Sequence, residues 1–136
     1  MNVSVNTLVP AVAAVIVLVV GITAAIKPQR ISPGVLWWVP ALLSAAFFVG
    51  SLRAIATGGS LGFWAEHIRN DWNNQIFLDL LLSASCAYFL LLTRARAVSM
   101  HLLAWFMVIA ATGSIGLLAM IARVLFLERS ATIKTV

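Results

Sequence analysis

One acidic side chain, Asp79, lies inside an apolar stretch that is long enough to cross a bilayer. An ionisable group at that depth costs about 2.5–3.5 kcal/mol on insertion scales, so it usually faces protein or water and has a partner. At helical spacing, positions i, i+4, i+8 and i+11 of this stretch are Gln75, Asp79, Ser83 and Cys86. The pattern predicts a single polar stripe on an otherwise apolar helix.

The overall composition indicates a membrane protein. Of the 136 residues 62% are hydrophobic and 10% are charged, whereas a soluble domain carries about 25% charged residues. We therefore expect an integral, multi-pass membrane protein with a single transmembrane domain over 1–136. The net charge of +5 does not indicate a nucleic-acid partner, because basic residues of membrane proteins collect at helix ends. With one cysteine, and two histidines in different loops, we expect no metal site and no cofactor.

Hydropathy predicts the elements that position these residues. Lipid-exposed backbone must satisfy its own hydrogen bonds, so apolar stretches of spanning length predict helices and no strand. The expected fold is all-α, an integral membrane four-helix bundle. Its spans are expected at about 5–26, 35–57, 74–93 and 101–127.

The connection between the second and third spans, 58–72, is the longest one. Its apolar residues recur on one helix face at Leu61, Trp64, Ile68 and Trp72. This spacing predicts a short interfacial helix, with Trp64 and Ile68 turned into lipid or into the bundle. Ser60 is the expected cap. A solvated loop with scattered aromatic residues is the alternative.

Three charged side chains are expected at one side of the membrane. In a bundle of alternating spans, Arg53 near the end of the second span and Arg123 near the end of the fourth lie at the depth of Asp79. Glu66 and His67 of the connection lie over the same side. The predicted ligand-binding residues are therefore Arg53, Glu66, His67, Asp79, Ser83 and Arg123.

Two interpretations of this cluster remain open. In the first, Asp79 pairs with Arg53 or Arg123 and locks the bundle, since buried polar groups must be satisfied whatever the function. In the second, the cluster lines a pocket for an amphiphilic ligand, or Asp79 is a catalytic acid. Ser83 and Cys86 have no base nearby on the same helix, which favours packing over nucleophilic roles.

The numbers of basic residues on the two sides of the membrane are nearly equal, so they hardly favour one orientation of the chain. Alternating spans put Lys27, Arg30, Arg94 and Arg96 on one side and Arg53, Arg69, Arg123, Arg129 and Lys134 on the other. Four basic residues against five decide nothing by the positive-inside rule. If Arg53 and Arg123 belong to a pocket, four against three favours cytoplasmic turns at 27–34 and 94–100, with both termini outside.

The second half of the chain carries a recognisable pattern. It consists of a Gly-rich linker with an Asn, the run Gln75-Ile-Phe-Leu-Asp79-Leu, a basic turn, and Gly113-Ser-Ile-Gly116 followed by an arginine. From Gly59 onward the chain thereby resembles an uncharacterised bacterial family of small helical membrane proteins, a domain of unknown function. It is distantly similar to membrane terpene-cyclase and carotenoid-modifying proteins, and that resemblance implies Asp79 as a general acid. This chain differs from that class in having four predicted spans and one intramembrane acid.

These observations predict a small integral membrane protein with a polar intramembrane pocket that binds a lipid or isoprenoid-like molecule. One alternative is a non-catalytic accessory subunit of a larger membrane complex, to which an uncharged first span rich in Ala and Gly is suited. Another is a membrane-embedded isoprenoid-modifying enzyme with Asp79 as general acid. The expected partners are membrane lipids, an amphiphilic ligand and other membrane subunits.

Overall fold

The computed structural model describes residues 5–26, 37–59 and 61–134, and the chain divides into two compact units, Met1–Ile31 and Ser32–Val136. All regular structure among the described residues is helical, which confirms the all-α prediction. The helices are α1 (Val5–Ile26), α2 (Trp38–Gly58), α3 (Gly62–His67), α4 (Asp71–Ala97), α5 (Leu102–Thr112) and α6 (Ser114–Lys134).

The first unit contains α1, whose 22 residues carry no charged side chain. Its bounds are those predicted from hydropathy. The predicted basic turn at 27–34 lies outside the described residues.

In the second unit, α2 and α4 are long and apolar enough to cross a membrane, and most of their side chains are exposed. The core helix of a soluble protein would instead be largely buried. Two of the predicted spans are therefore helices of suitable length and composition.

The ends of these two helices follow from local chemistry. α2 ends at Gly58, and Gly59 leaves the helix with φ +76°, a conformation that favours glycine. α4 begins three residues earlier than predicted, because the Asn70 side chain caps it by accepting a hydrogen bond from the Asn73 N–H at 2.9 Å. Asp71 in the first turn of α4 complements the helix dipole.

The connection at 58–72 contains the short helix α3, so its predicted helical character is confirmed. α3 begins after Leu61 without a side-chain cap, and the expected cap Ser60 lies outside the described residues. Trp64 and Ile68 are exposed and do not enter the bundle. The Trp64 ring stands edge-on to Phe77 of α4, with 6.4 Å between the ring centroids.

The predicted fourth span is wrong, because it is two helices that fold back on each other at Gly113. Gly113 has φ +59° and ψ −125°, which a residue with a Cβ rarely adopts, and its N–H donates to the Ile109 carbonyl at 2.7 Å. α5 has 11 residues and is about 16 Å long, roughly half the thickness of a hydrocarbon core. The second unit therefore contains two helices of spanning length, α2 and α4, and the predicted four-helix transmembrane bundle is not confirmed.

Gly116 allows the two helices to cross closely. A Cβ at this position would lie 2.7 Å from Thr112 Oγ1 and 3.0 Å from the Ile109 backbone. Only a residue without a side chain fits this contact. The small residues Gly113 and Gly116 thus make a corner within one hairpin, α5–α6.

α6 is the central helix of the second unit and contacts α2, α4 and α5. It runs antiparallel to α2, since Trp37 stacks edge-on against Phe126 and Ser44 Oγ donates to the Ile115 carbonyl at 2.9 Å. It runs alongside the C-terminal half of α4, where Arg94 meets Glu128. The buried core lies between these helices and consists of Tyr88, Ala95, Ile109, Met120 and Val124.

This arrangement places the hairpin tip deep in the unit and both of its outer ends at one side. The tip at Gly113 lies beside the middle of α2, next to the Ser44–Ile115 contact. α6 then returns to the side where α2 begins and α4 ends. The prediction that the end of α6 lies opposite the turn at 94–100 is therefore wrong.

Candidate functional site

The polar stripe of α4 faces outward from the second unit. Gln75, Asp79, Ser83 and Cys86 are all exposed. No ion pair joins Asp79 to Arg53 or Arg123, both of which are exposed, in the part of the chain that the structure describes. The predicted inward-facing pair of Asp79 with an arginine is thus not formed.

The fold explains why these charges do not meet. The described helices α2 and α4 make no contact with each other. Both pack on α6, but α6 runs only beside the first half of α2 and the C-terminal half of α4, so it does not bring Arg53 and Asp79 together. Arg123 lies on the returning helix, at the end where Arg94 meets Glu128. Asp79 is 15 residues before Arg94 on the same helix, or about 22 Å along its axis at 1.5 Å per residue.

Glu66 and His67 of α3 are engaged locally. Glu66 forms an exposed ion pair with Arg69 at 3.3 Å, and His67 Nδ1 lies 2.6 Å from the Phe63 carbonyl. The His67 ring also stands against Phe77 of α4, with 4.8 Å between the centroids. These contacts attach α3 to α4 and do not bring Arg123 near either residue. In the described residues no three His, Cys, Asp or Glu side chains come together to hold a metal ion.

A different set of residues lines a concave site in the second unit. A groove of about 420 Å³ lies between α2 and the α5–α6 hairpin, open on one side. Aromatic rings and small side chains make its walls, and one cation lies at its edge. The lining residues are Trp37, Ala41, Ser44, Trp105, Ala119, Ala122, Arg123 and Phe126.

The helix spacing makes this groove. Trp37, Ala41 and Ser44 lie at i, i+4 and i+7 and therefore share one face of α2. Ala119 and Ala122 on the facing side of α6 are too small to fill the space between the helices. Trp105 of α5 and Phe126 of α6 project beside this gap, so the groove is apolar along most of its length.

The two polar side chains that line the groove differ in whether a polar partner already engages them. Ser44 is buried and already satisfied, because its hydroxyl donates to Ile115. Arg123 has its guanidinium carbon 6.0 Å from the centre of the Phe126 ring. No carboxylate lies within ion-pair distance of Arg123 among the described residues. The groove therefore offers an apolar channel with a guanidinium that can bind an anionic group.

An ion pair between α4 and α6 lies at the same end of the second unit as Arg123. Arg94 Nε and Nη2 donate to the two carboxylate oxygens of Glu128 at 2.8 and 2.6 Å. This two-pronged geometry matches the planar guanidinium to the carboxylate and fixes α4 against α6. It also engages the carboxylate of Glu128, one turn beyond Arg123, with a different arginine.

Sequence reasoning predicted Arg123 as a binding residue but gave it the wrong neighbours. Trp37 and Trp105 were not among the predicted binding residues. For Trp37 a signal was available, since Ala41 and Ser44 follow it at i+4 and i+7, whereas Trp105 has no small residue at i±3 or i±4. The pairing of α2 with α6 was not available, because it depends on the reversal at Gly113.

Comparison with known proteins adds no neighbour to these observations. No family model, no curated protein and no solved structure matches this chain. The resemblance to an uncharacterised bacterial family, and the more distant one to terpene cyclases, therefore stay predictions.

Proposed function

We propose that this chain is a small integral protein of the bacterial inner membrane that binds an anionic amphiphile, a lipid or isoprenoid-like molecule, in the groove between α2 and α5–α6. The observation that carries this proposal is an apolar groove with an unpaired guanidinium at its edge, among the described residues. The apolar chain lies along the alanines, and the anionic head group contacts Arg123.

The dimensions and the chemistry support this occupant. A volume of about 420 Å³ lies in the range of small-molecule sites, roughly 300–1,000 Å³, which are mostly apolar with few polar groups. Guanidinium groups bind phosphate and carboxylate through paired, charge-assisted hydrogen bonds. Trp37 stands at the same end of the groove as Arg123, at the level where tryptophans meet lipid head groups. Asp79 lies outside the groove, so acid catalysis on a bound isoprenoid is not proposed.

The groove is tested by filling it. Ala41→Phe places a ring in the groove, and Ala46→Phe places the same ring on an exposed position of the same helix. Both variants are purified in mild detergent, and native mass spectrometry counts the retained lipid. We expect Ala41→Phe to lower lipid occupancy about tenfold and Ala46→Phe to leave it unchanged. Equal occupancy in two folded variants would contradict the groove.

The role of Arg123 is tested with lipids that differ in head-group charge. Losing a hydrogen bond to a charged group costs about 1.5–3 kcal/mol, so Arg123→Gln is expected to weaken binding of phosphatidylglycerol about tenfold or more. Binding of phosphatidylcholine should change little. Arg53→Gln, an exposed arginine at the far end of α2 and outside the groove lining, is the control.

The outward polar stripe of α4 favours a second candidate function, an accessory subunit of a membrane complex. An acid in an apolar helix generally pairs with another group, and Asp79 has no ion-pair partner among the described residues. A second membrane subunit with a basic or hydrogen-bonding side chain at that depth would supply one. Native mass spectrometry separates the two candidates: stoichiometric partner chains that are lost in Asp79→Leu support the subunit, and retained lipid supports the groove.

A further inference from the structure

The described charges of the second unit are distributed unequally between its two ends. The end where α2 begins and α4 and α6 finish is called here the basic end. It carries four arginines and one acid, namely Arg94, Arg96, Arg123, Arg129 and Glu128. The opposite end carries two arginines and three acids, namely Arg53, Arg69, Glu66, Asp71 and Asp79.

The reversal at Gly113 produces this asymmetry. With a continuous fourth span, Arg123 and Arg129 would lie at the end of Arg53 and Arg69. Because α6 instead runs antiparallel to α2, both arginines return to the side of the α4–α5 turn. The near-tie between the two sides becomes a clear excess on one of them.

We propose that the basic end is an interaction surface for the anionic lipids of the cytoplasmic leaflet, so that the α4–α5 turn and the end of α6 both lie in the cytoplasm. Cytoplasmic loops carry an excess of Lys and Arg, and each basic residue near an anionic leaflet contributes about 1 kcal/mol of attraction. Arg96 and Arg129 are exposed and have no ion pair among the described residues, so both can meet head groups.

The acid-rich end supports the same orientation. Glu66, Asp71 and Asp79 would be repelled by anionic head groups, whereas Arg69 is already engaged by Glu66 at 3.3 Å. This end therefore has little attraction for an anionic surface. The inference needs α2 and α4 to span the membrane, but it does not depend on the groove being occupied.

Single-cysteine labelling tests the orientation directly. The lone cysteine is removed by Cys86→Ser, and a thiol is then placed at the basic end by Ala97→Cys or at the opposite end by Ala65→Cys. Both alanines are exposed and lie at helix positions. A membrane-impermeant maleimide is applied to intact spheroplasts and to inside-out vesicles.

We expect Ala65→Cys to be labelled in spheroplasts at least tenfold faster than in inside-out vesicles, and Ala97→Cys to show the opposite ratio. The reverse pattern, equal labelling of both sites, or labelling only after detergent overturns the proposal. Charge reversal supplies the second arm. Arg96→Glu with Arg129→Glu should raise the inverted fraction, and the matched pair Arg53→Glu with Arg69→Glu should not; equal effects of the two pairs would remove the role of the basic end.

Discussion

The two ends of α4 carry charged side chains in opposite circumstances. Near its C-terminus, Arg94 holds both carboxylate oxygens of Glu128, and the Glu128 side chain is only 25% exposed. Near its N-terminus, Asp79 is exposed and has no ion pair among the described residues. The difference arises because α6 returns along the C-terminal half of α4 only. Whether a charged residue of α4 forms an ion pair thus depends on which helix lies beside it. The reversal at Gly113 determines where that helix, α6, runs.

The largest effect is expected where the hairpin itself is broken. Gly116→Val forces atoms into the 2.7–3.0 Å contacts with Thr112 and Ile109, and overpacking of this kind typically costs about 1–3 kcal/mol. We expect a loss near the upper limit, together with loss of the Arg94–Glu128 contact. Gly50→Val is the matched control, because nothing lies within 4 Å of a Cβ there. Thermal unfolding in detergent measures both, and equal losses would show that the corner is not tightly packed.

A smaller effect is expected for the ion pair. A double-mutant cycle of Arg94→Gln and Glu128→Gln should give a coupling of about 1 kcal/mol, the upper limit for partly exposed pairs, because the geometry is bidentate. The same cycle on Arg69 and Glu66, whose side chains are 70% and 64% exposed, should give nearly none. The free energy of unfolding in urea measures both cycles. A stronger coupling for Arg69–Glu66, which lies just before α4, than for Arg94–Glu128 would contradict this prediction.

The smallest effect is expected at Asp79. Breaking a buried pair costs about 3–5 kcal/mol, whereas exposed substitutions away from special features usually stay within about 0.5 kcal/mol. Asp79→Asn and Asp79→Leu should therefore unfold at nearly the temperature of the unchanged protein when the chain is purified alone. A large fall in the unfolding temperature of Asp79→Leu that is absent in Asp79→Asn would reveal a hydrogen-bonding partner for this carboxylate. Asp79 would then not differ from Arg94 in having a partner.

Much of the helical organisation could be predicted from the sequence. The bounds of α1 coincide with its apolar run, and α4 differs from its prediction by a few residues at each end. These elements are delimited by local features, such as Gly58-Gly59 and the basic Arg94-Ala-Arg96, that act within one or two turns. The helical character of the connection that contains α3 was also predicted, because the spacing of its apolar residues is a local property.

The hairpin and the groove could not be predicted in the same way. The run 102–127 contains no proline, and its Gly113-Ser-Ile-Gly116 string suits either a packing face or a corner, since both need small residues at this spacing. The choice depends on the φ angle of Gly113. The positive φ angle of Gly113 turns α6 back along the first half of α2, and this pairing forms the groove that Arg123 borders. The stripe of Asp79 was correctly assigned to one helix face, but no local feature indicated which way that face would point.

The contact between Ser44 and Ile115 gives the assembly of the second unit a time order. The two residues are 71 positions apart, whereas Ile109 and Gly116 are close neighbours in the chain. At about 5–20 residues per second, a ribosome makes Ile115 some 4–14 s after Ser44. For those seconds the buried face of α2 has no α6 to pack against, while the hairpin closes almost as soon as it is made. The α2 wall of the groove is therefore made seconds before its α6 wall, and in the membrane protein proposed above lipid would reach the open face of α2 before α6 does.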